Sequence, residues 1–213
     1  MAKQIWKGGN MVYPVPAVLV SVGNKDGKTN IFTVAWTGNV CTNPPMVYIS
    51  VRPERYSYDF IRESGEFVIN LTNEALVRAT DFCGVRSGRD VDKWKECRLT
   101  AAKAAKLSYA PLIAESPVNI ECKVREAKDY GSHTMFIADV LAVDADEQYL
   151  DERGSFRLDK AQLITYSHGD YMSLEKKIGS FGYSVRKANK AAVAPHKAHA
   201  DKQTSQAKGK HKL

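Results

Sequence analysis

Two short segments concentrate the charge needed to hold an anion. In residues 50–57, SVRPERYS, Arg52 and Arg55 stand among Ser50, Tyr56 and Ser57 where an apolar run, with Val51 as its last member, ends. Pro53 is tolerated in a first helical turn, so the pattern predicts a helix opening there with Tyr56, Phe60 and Ile61 on one face. A helix start offers free N–H groups to an anion, and arginine adds a two-pronged charge. In residues 83–94, CGVRSGRDVDKW, the group Ser87, Gly88, Arg89 and Lys93 repeats that character on what reads as a loop, turning helical near Asp92. Together the two segments could enclose one phosphate. Each alone is equally the signature of a solvated strand-to-helix turn.

A third segment, Thr33, Val34, Ala35, Trp36 and Thr37, sets small and hydroxyl residues around a tryptophan in a predicted strand. A flat cofactor ring needs backbone N–H and C=O groups for its polar edge and an apolar neighbour; a core tryptophan would leave the same trace. Acid–base candidates are few. His133 and His168 are the only histidines before residue 186, and no catalytic triad, phosphate loop, G-x-G-x-x-G or H-E-x-x-H pattern occurs. Such a chain borrows its reactivity from a bound group. The four cysteines, Cys41, Cys83, Cys97 and Cys122, form no C-x-x-C pair and read as reduced thiols, with Cys83 notable beside the basic loop.

The elements that must position these residues read mainly as β. Residues 13–22, 30–37, 46–52, 66–71, 118–127, 134–142 and 161–166 are short runs rich in Val, Ile, Tyr and Phe, and Asp26-Gly27 suits a hairpin turn. Short helices fall between them, one ending at Gly65 and one capped by Asn73. Residues 100–109 carry no clear pattern. Without a βαβ rhythm, the fold class is mainly β, an antiparallel barrel of Greek-key type with short inserted helices.

The formal charge of +7 is localised. From residue 186 onward, Arg186, Lys187, Lys190, Lys197, Lys202, Lys208, Lys210 and Lys212 face one acid, Asp201, so this stretch carries the whole excess and residues 1–185 are neutral. The expected organisation is one domain over 1–185 and a basic, aromatic-free extension over 186–213. Neither an apolar leader nor a membrane-spanning run is visible, so the expected location is the cytoplasm. The extension could also be an arm for nucleic acid or a membrane surface, although it lacks rings for stacking, and neither a specific nucleic acid nor a membrane is the expected partner.

The order of segments PVPAVLVSVG, NIFTVAWTGNVCTNPPMVYISVRPERYSYDFIRESGEFVINL, CGVRSGRDVDKW, HTMFIADVLAV and IGSFGYS resembles the flavin-reductase-like family, and within it the flavoredoxins, over roughly residues 14–183. The resemblance implies an FMN-binding split β-barrel and a homodimer. It also implies electron transfer through FMN, taken from NAD(P)H or from a redox protein, with a non-enzymatic protein electron carrier as the alternative. It puts Thr33, Val34, Ala35, Trp36 and Thr37 along the flavin ring. Ser50, Val51, Arg52, Tyr56 and Ser57 then meet the ribityl chain and phosphate. Ser87, Gly88 and Lys93 close over the phosphate, and His133 lies near the cleft, where a turn histidine is the competing reading.

Overall fold

A computed structural model describes residues 2–186; the basic extension expected from residue 186 lies, but for Arg186 itself, outside the described residues. The chain divides into two compact units, Met1–Glu175 and Lys176–Leu213. In the second, the described residues form a short 3-10 turn, Tyr183–Val185, and Arg186 donates to the Phe181 carbonyl at 3.1 Å.

The first unit is built on antiparallel strands. In chain order these are β1 (Val15–Pro16), β2 (Val18–Gly23), β3 (Thr29–Val34), β4 (Thr37–Cys41) and β5 (Met46–Val51), then helix α1 (Ser57–Ser64) and β6 (Glu66–Asn70). A 3-10 turn (Glu74–Leu76) runs into α2 (Val77–Val85), followed by α3 (Lys93–Cys97) and the two-residue strands β7 (Ala101–Ala102) and β8 (Leu112–Ile113). The long strands β9 (Val118–Asp129) and β10 (Thr134–Ala145) and the hairpin β11 (Ile164–Ser167) and β12 (Asp170–Ser173) complete it.

Seven strands form one sheet in the order β3-β2-β6-β9-β10-β5-β4. Its two edge strands, β3 and β4, are consecutive in the chain and separated only by Ala35 and Trp36. Edges that near must meet, so the sheet curls round on itself as a split barrel. Register irregularities in β9–β10 at Ile137/Ala138 and Val140/Ala142 supply the bend such curvature needs. Phe67, Phe136, Ile49, Val20 and Val22 fill the interior, with Phe60 and Ile61 of α1. Each such side chain contributes about 1.5–3 kcal/mol by leaving water. β2 is buried on both faces, because its alternate residue Leu19 joins Ile31 against Leu76 of the 3-10 turn and Ala79 and Cys83 of α2.

Several local expectations change. The strand expected through Thr37 stops at Val34, and Ala35-Trp36 is a bend. Pro53 opens turns rather than a helix: Arg55 N–H donates to the Arg52 carbonyl, and α1 begins only at Ser57. Cys83 and Val85 belong to α2 rather than to a loop. Of residues 100–109, where no pattern was visible, Ala101–Ala102 is a short strand and 105–109 are tied down by buried carboxylates. Glu121 accepts the N–H groups of Ala105, Lys106 and Leu107, and Glu66 accepts those of Ser108 and Tyr109. Charge-assisted bonds of this kind order a segment that has no ladder of its own.

Candidate functional site

Where the sheet edges meet, a cleft opens between the curled sheet and α2. One cavity of about 410 Å³ is walled by Thr33, Val34, Ala35 and Trp36, by Ser50, Val51 and Arg52 at the end of β5, and by His133. A second, of about 370 Å³, is walled by Arg52, Tyr56, Ser57, Ser87, Gly88 and Lys93, with Asn30, Arg55, Arg86 and Arg89. The two share Phe32, Arg52, Arg55 and Val85 and so form one elongated space. Thr37 lines neither. It is buried, and its hydroxyl donates to the Tyr48 carbonyl at 2.8 Å.

The second cavity is strongly basic. Arg52 is paired with Glu54 at 2.7 Å. Arg55 and Arg89 instead donate to main-chain carbonyls, of Gly84 at 3.0 Å and Glu54 at 3.2 Å, and neither has an ion pair among the described residues. Carbonyl contacts hold a guanidinium in place without neutralising it, so the charge remains available to an anion. Arg89 also lies over the Tyr56 ring at 5.2 Å, and Tyr56 packs edge-on to Phe60 of the core.

Lys93 is only 3% exposed, and its ammonium donates to the Cys83 carbonyl at 2.8 Å. Burial lowers its pKa, with the Arg55 charge acting in the same sense and the Cys83 thiol opposing. A buried ammonium beside arginines is a costly arrangement that an anion would relieve. Gly88 fits this wall because it lacks a side chain: a Cβ there would overlap the carboxamide of Asn30, which is held by its donation to Ser57 Oγ at 2.8 Å. The chain therefore keeps a close backbone approach beside the cations, where a phosphate oxygen could meet N–H groups.

The first cavity changes character along its length. Thr33 on β3 donates its hydroxyl to the Thr80 carbonyl, which fixes α2 against the strand. Ser50 N–H donates to the Trp36 carbonyl at 2.8 Å and stitches the bend to β5. His133 is half-buried in the wall; burial, then the Arg52 charge, lower its pKa, with Glu54 opposing and Arg55 adding a smaller lowering. The sequence reading missed Asn30, Phe32, Gly84 and, at the far end, Tyr13, Asp81, Tyr166 and Tyr171. Arg55 was legible in SVRPERYS as a basic neighbour, but nothing local marks the four remote residues. The cysteines, though scattered in sequence, include a close pair. Cys83 and Cys97 are free, with sulfurs 3.8 Å apart, and burial pushes the Cys83 thiol up to about 12.

Among the described residues, no helix is long and apolar enough to cross a membrane, and no group of three metal-ligating side chains forms. Comparison with known proteins gives a consistent picture. A protein of Pyrococcus abyssi is 30% identical over 81% of this chain and 97% of its own length. The flavoredoxin of Desulfovibrio vulgaris (Miyazaki F) superposes with a TM-score of 0.81 at 28% identity, covering 87% of this chain and all of its own. The flavoredoxin of Methanosarcina acetivorans gives 0.79 at 29%, over 87% of this chain and 98% of its own. The model of the flavin reductase like domain matches residues 10–175, and the chain belongs to that family.

Proposed function

We propose that this protein holds one FMN in the elongated cleft and moves electrons through it. The observation that carries the reading is the junction of a basic mouth, in which Arg55 and Arg89 have no ion pair among the described residues, with a cavity of about 410 Å³ lined by Thr33, Ala35 and Trp36. Family membership and similarity to two flavoredoxins support a flavin as the occupant. One cluster of cations suits one phosphate, which favours FMN over a dinucleotide.

Bound there, the flavin supplies hydride and electron transfer, chemistry the side chains present do not perform. The protein's part is positional. Arg52, Arg55, Arg89 and the buried Lys93 draw the phosphate, and Ser57, Ser87 and the Gly88 backbone offer it hydrogen bonds. At the Ala35-Trp36 bend the carbonyls are taken by the N–H groups of Thr37 and Ser50, so the polar edge of the ring would meet N–H groups there. Burial and the Arg52 charge lower the His133 pKa, so in the empty site the guanidinium groups are the main cations at the mouth.

The electron source in this reading is NAD(P)H or a reduced redox protein, and the working unit is a homodimer. Denaturing the yellow purified protein and identifying the released flavin tests the core of the reading; FAD as the only flavin, or none, would overturn it. Anaerobic titration with NADH and NADPH separates reductase from carrier: bleaching by nucleotide marks the former, bleaching only by a reduced protein the latter. Sedimentation of the flavin-loaded protein tests the dimer, which a monomer at micromolar concentration would exclude.

A further inference from the structure

Part of the first cavity is a wall of rings that come from distant parts of the chain. Tyr13 precedes β1, Trp36 forms the bend after β3, Tyr166 lies in β11 and Tyr171 in β12, and all four line the cavity. Tyr13 is their centre, 6.2 Å from Trp36 and 6.2 Å from Tyr166, and Tyr166 is 5.6 Å from Tyr171. Their ring planes are inclined to one another, between 49° and 60°. Tilted rings form a concave corner instead of a closed stack, and their faces are the electron-rich side of each. The β11–β12 hairpin turns on His168 and Gly169, both with positive φ, as a tight two-residue turn demands, and this brings Tyr171 back beside Tyr166.

One carboxylate faces this corner. Asp81 of α2 lines the same cavity, is exposed to it, and accepts a long hydrogen bond from Tyr171 Oη at 3.4 Å. It takes part in no ion pair among the described residues. Arg52 and Arg55 also line this cavity, but neither pairs with Asp81: Arg52 is taken by Glu54, and Arg55 donates to the Gly84 carbonyl. The corner thus joins four aromatic rings to one acid without an ion-pair partner among the described residues.

We propose that this corner is the subsite for the protein's small redox partner, and that it selects a planar aromatic ring that is cationic. The geometry supplies both halves of such a preference. Ring faces attract a cation through their quadrupoles, and the Asp81 carboxylate adds a full opposite charge at the corner's edge. Burial and the neighbouring Asp81 also push the Tyr171 phenol up to about 12, so it remains a neutral donor and adds no second anion. An anionic aromatic ring would meet Asp81 as a like charge and is disfavoured. The subsite deepens the FMN reading, since it places the exchanging molecule in the same cleft, yet its binding preference is measurable with or without the flavin.

The test uses the full-length protein as purified and two probes of matched shape, the 1-methylquinolinium cation and neutral 4-methylquinoline, titrated by calorimetry at pH 8 and low salt. The cation should bind roughly three- to tenfold more tightly than its neutral match. Asp81→Asn should remove most of that difference while leaving the neutral probe unchanged. Tyr166→Leu should weaken both probes together. The flavin content of each variant is measured separately. Equal affinity for the two probes, or an Asp81→Asn variant that still discriminates between them, would overturn the subsite. Absence of flavin together with retained discrimination would overturn the FMN reading and leave the subsite standing.

Discussion

The two ends of the cleft are assembled in opposite ways. The basic end comes from two short contiguous stretches, residues 52–57 and 85–93, with Asn30 and Phe32 of β3 as the distant contributors. The aromatic end gathers Tyr13, Trp36, Asp81 and the Tyr166–Tyr171 hairpin from four separate places in the chain. One end is a property of local sequence and the other a property of topology. Charge can be concentrated by adjacent residues, whereas a corner of tilted rings needs backbones arriving from several directions.

The contrast predicts that damage at the basic end reduces flavin retention, while damage at the aromatic end changes which small molecules bind. The largest effect should come from Arg52→Ala. Arg52 borders both cavities, and loss of a charge-assisted phosphate contact costs on the order of 1.5–3 kcal/mol, at least tenfold in flavin affinity. Fluorescence titration of flavin into the stripped protein measures it. The thermal transition should barely move, because the side chain is exposed and its partner Glu54 is exposed as well. Unchanged affinity would mean that Arg52 serves only its pair with Glu54.

Lys93→Met should come next and should show a second signature. Its pKa in the folded protein is lowered, chiefly by burial, so the charged form is disfavoured in the native state. The native protein then holds fewer protons than the unfolded chain between that lowered value and the ordinary lysine value of about 10.4. Stability of the flavin-free protein should therefore rise with pH across that alkaline window, and Lys93→Met should flatten the rise. Flavin affinity should fall by about tenfold in the same variant, since the anion loses a charged donor. Denaturant midpoints across the window, with and without flavin, check both. A slope that survives the substitution would assign it to another group.

The same contrast explains what was legible in the sequence. The long alternating strands β9 and β10 and the basic pair of segments are local patterns, and the structure has them where the sequence suggests. Pro53 misled because proline serves a helix's first turn and a tight turn equally well; the choice was made by Arg52 and Arg55 closing turns ahead of Ser57. Beyond the last run expected as a strand, 161–166, the turn at His168-Gly169 adds a further strand, β12. The order in residues 105–109, part of the patternless stretch 100–109, was invisible because its source, Glu66 and Glu121, lies in strands far off in sequence. The Tyr13 corner was hidden for the same reason.

Thr37 sharpens the comparison with the smallest effect. The family resemblance groups it with Thr33, Val34, Ala35 and Trp36, but the chain turns at Ala35-Trp36 and sends Thr37 into the opposite edge strand. There it is 8% exposed, and its hydroxyl is committed to the Tyr48 carbonyl. Thr37→Val keeps the β-branched shape and removes only that hydrogen bond, a loss of about 1 kcal/mol. The variant should melt a few degrees lower, bind flavin as tightly as the parent, and discriminate between quinolinium and quinoline as before. Because the bend lies next to Trp36, a hidden role of Thr37 in shaping it would appear as weaker flavin binding beyond the loss of stability. Equal flavin affinity with a lowered melting point would instead limit the cleft to the near side of the bend, with Thr37 belonging to the frame that holds the sheet edges together.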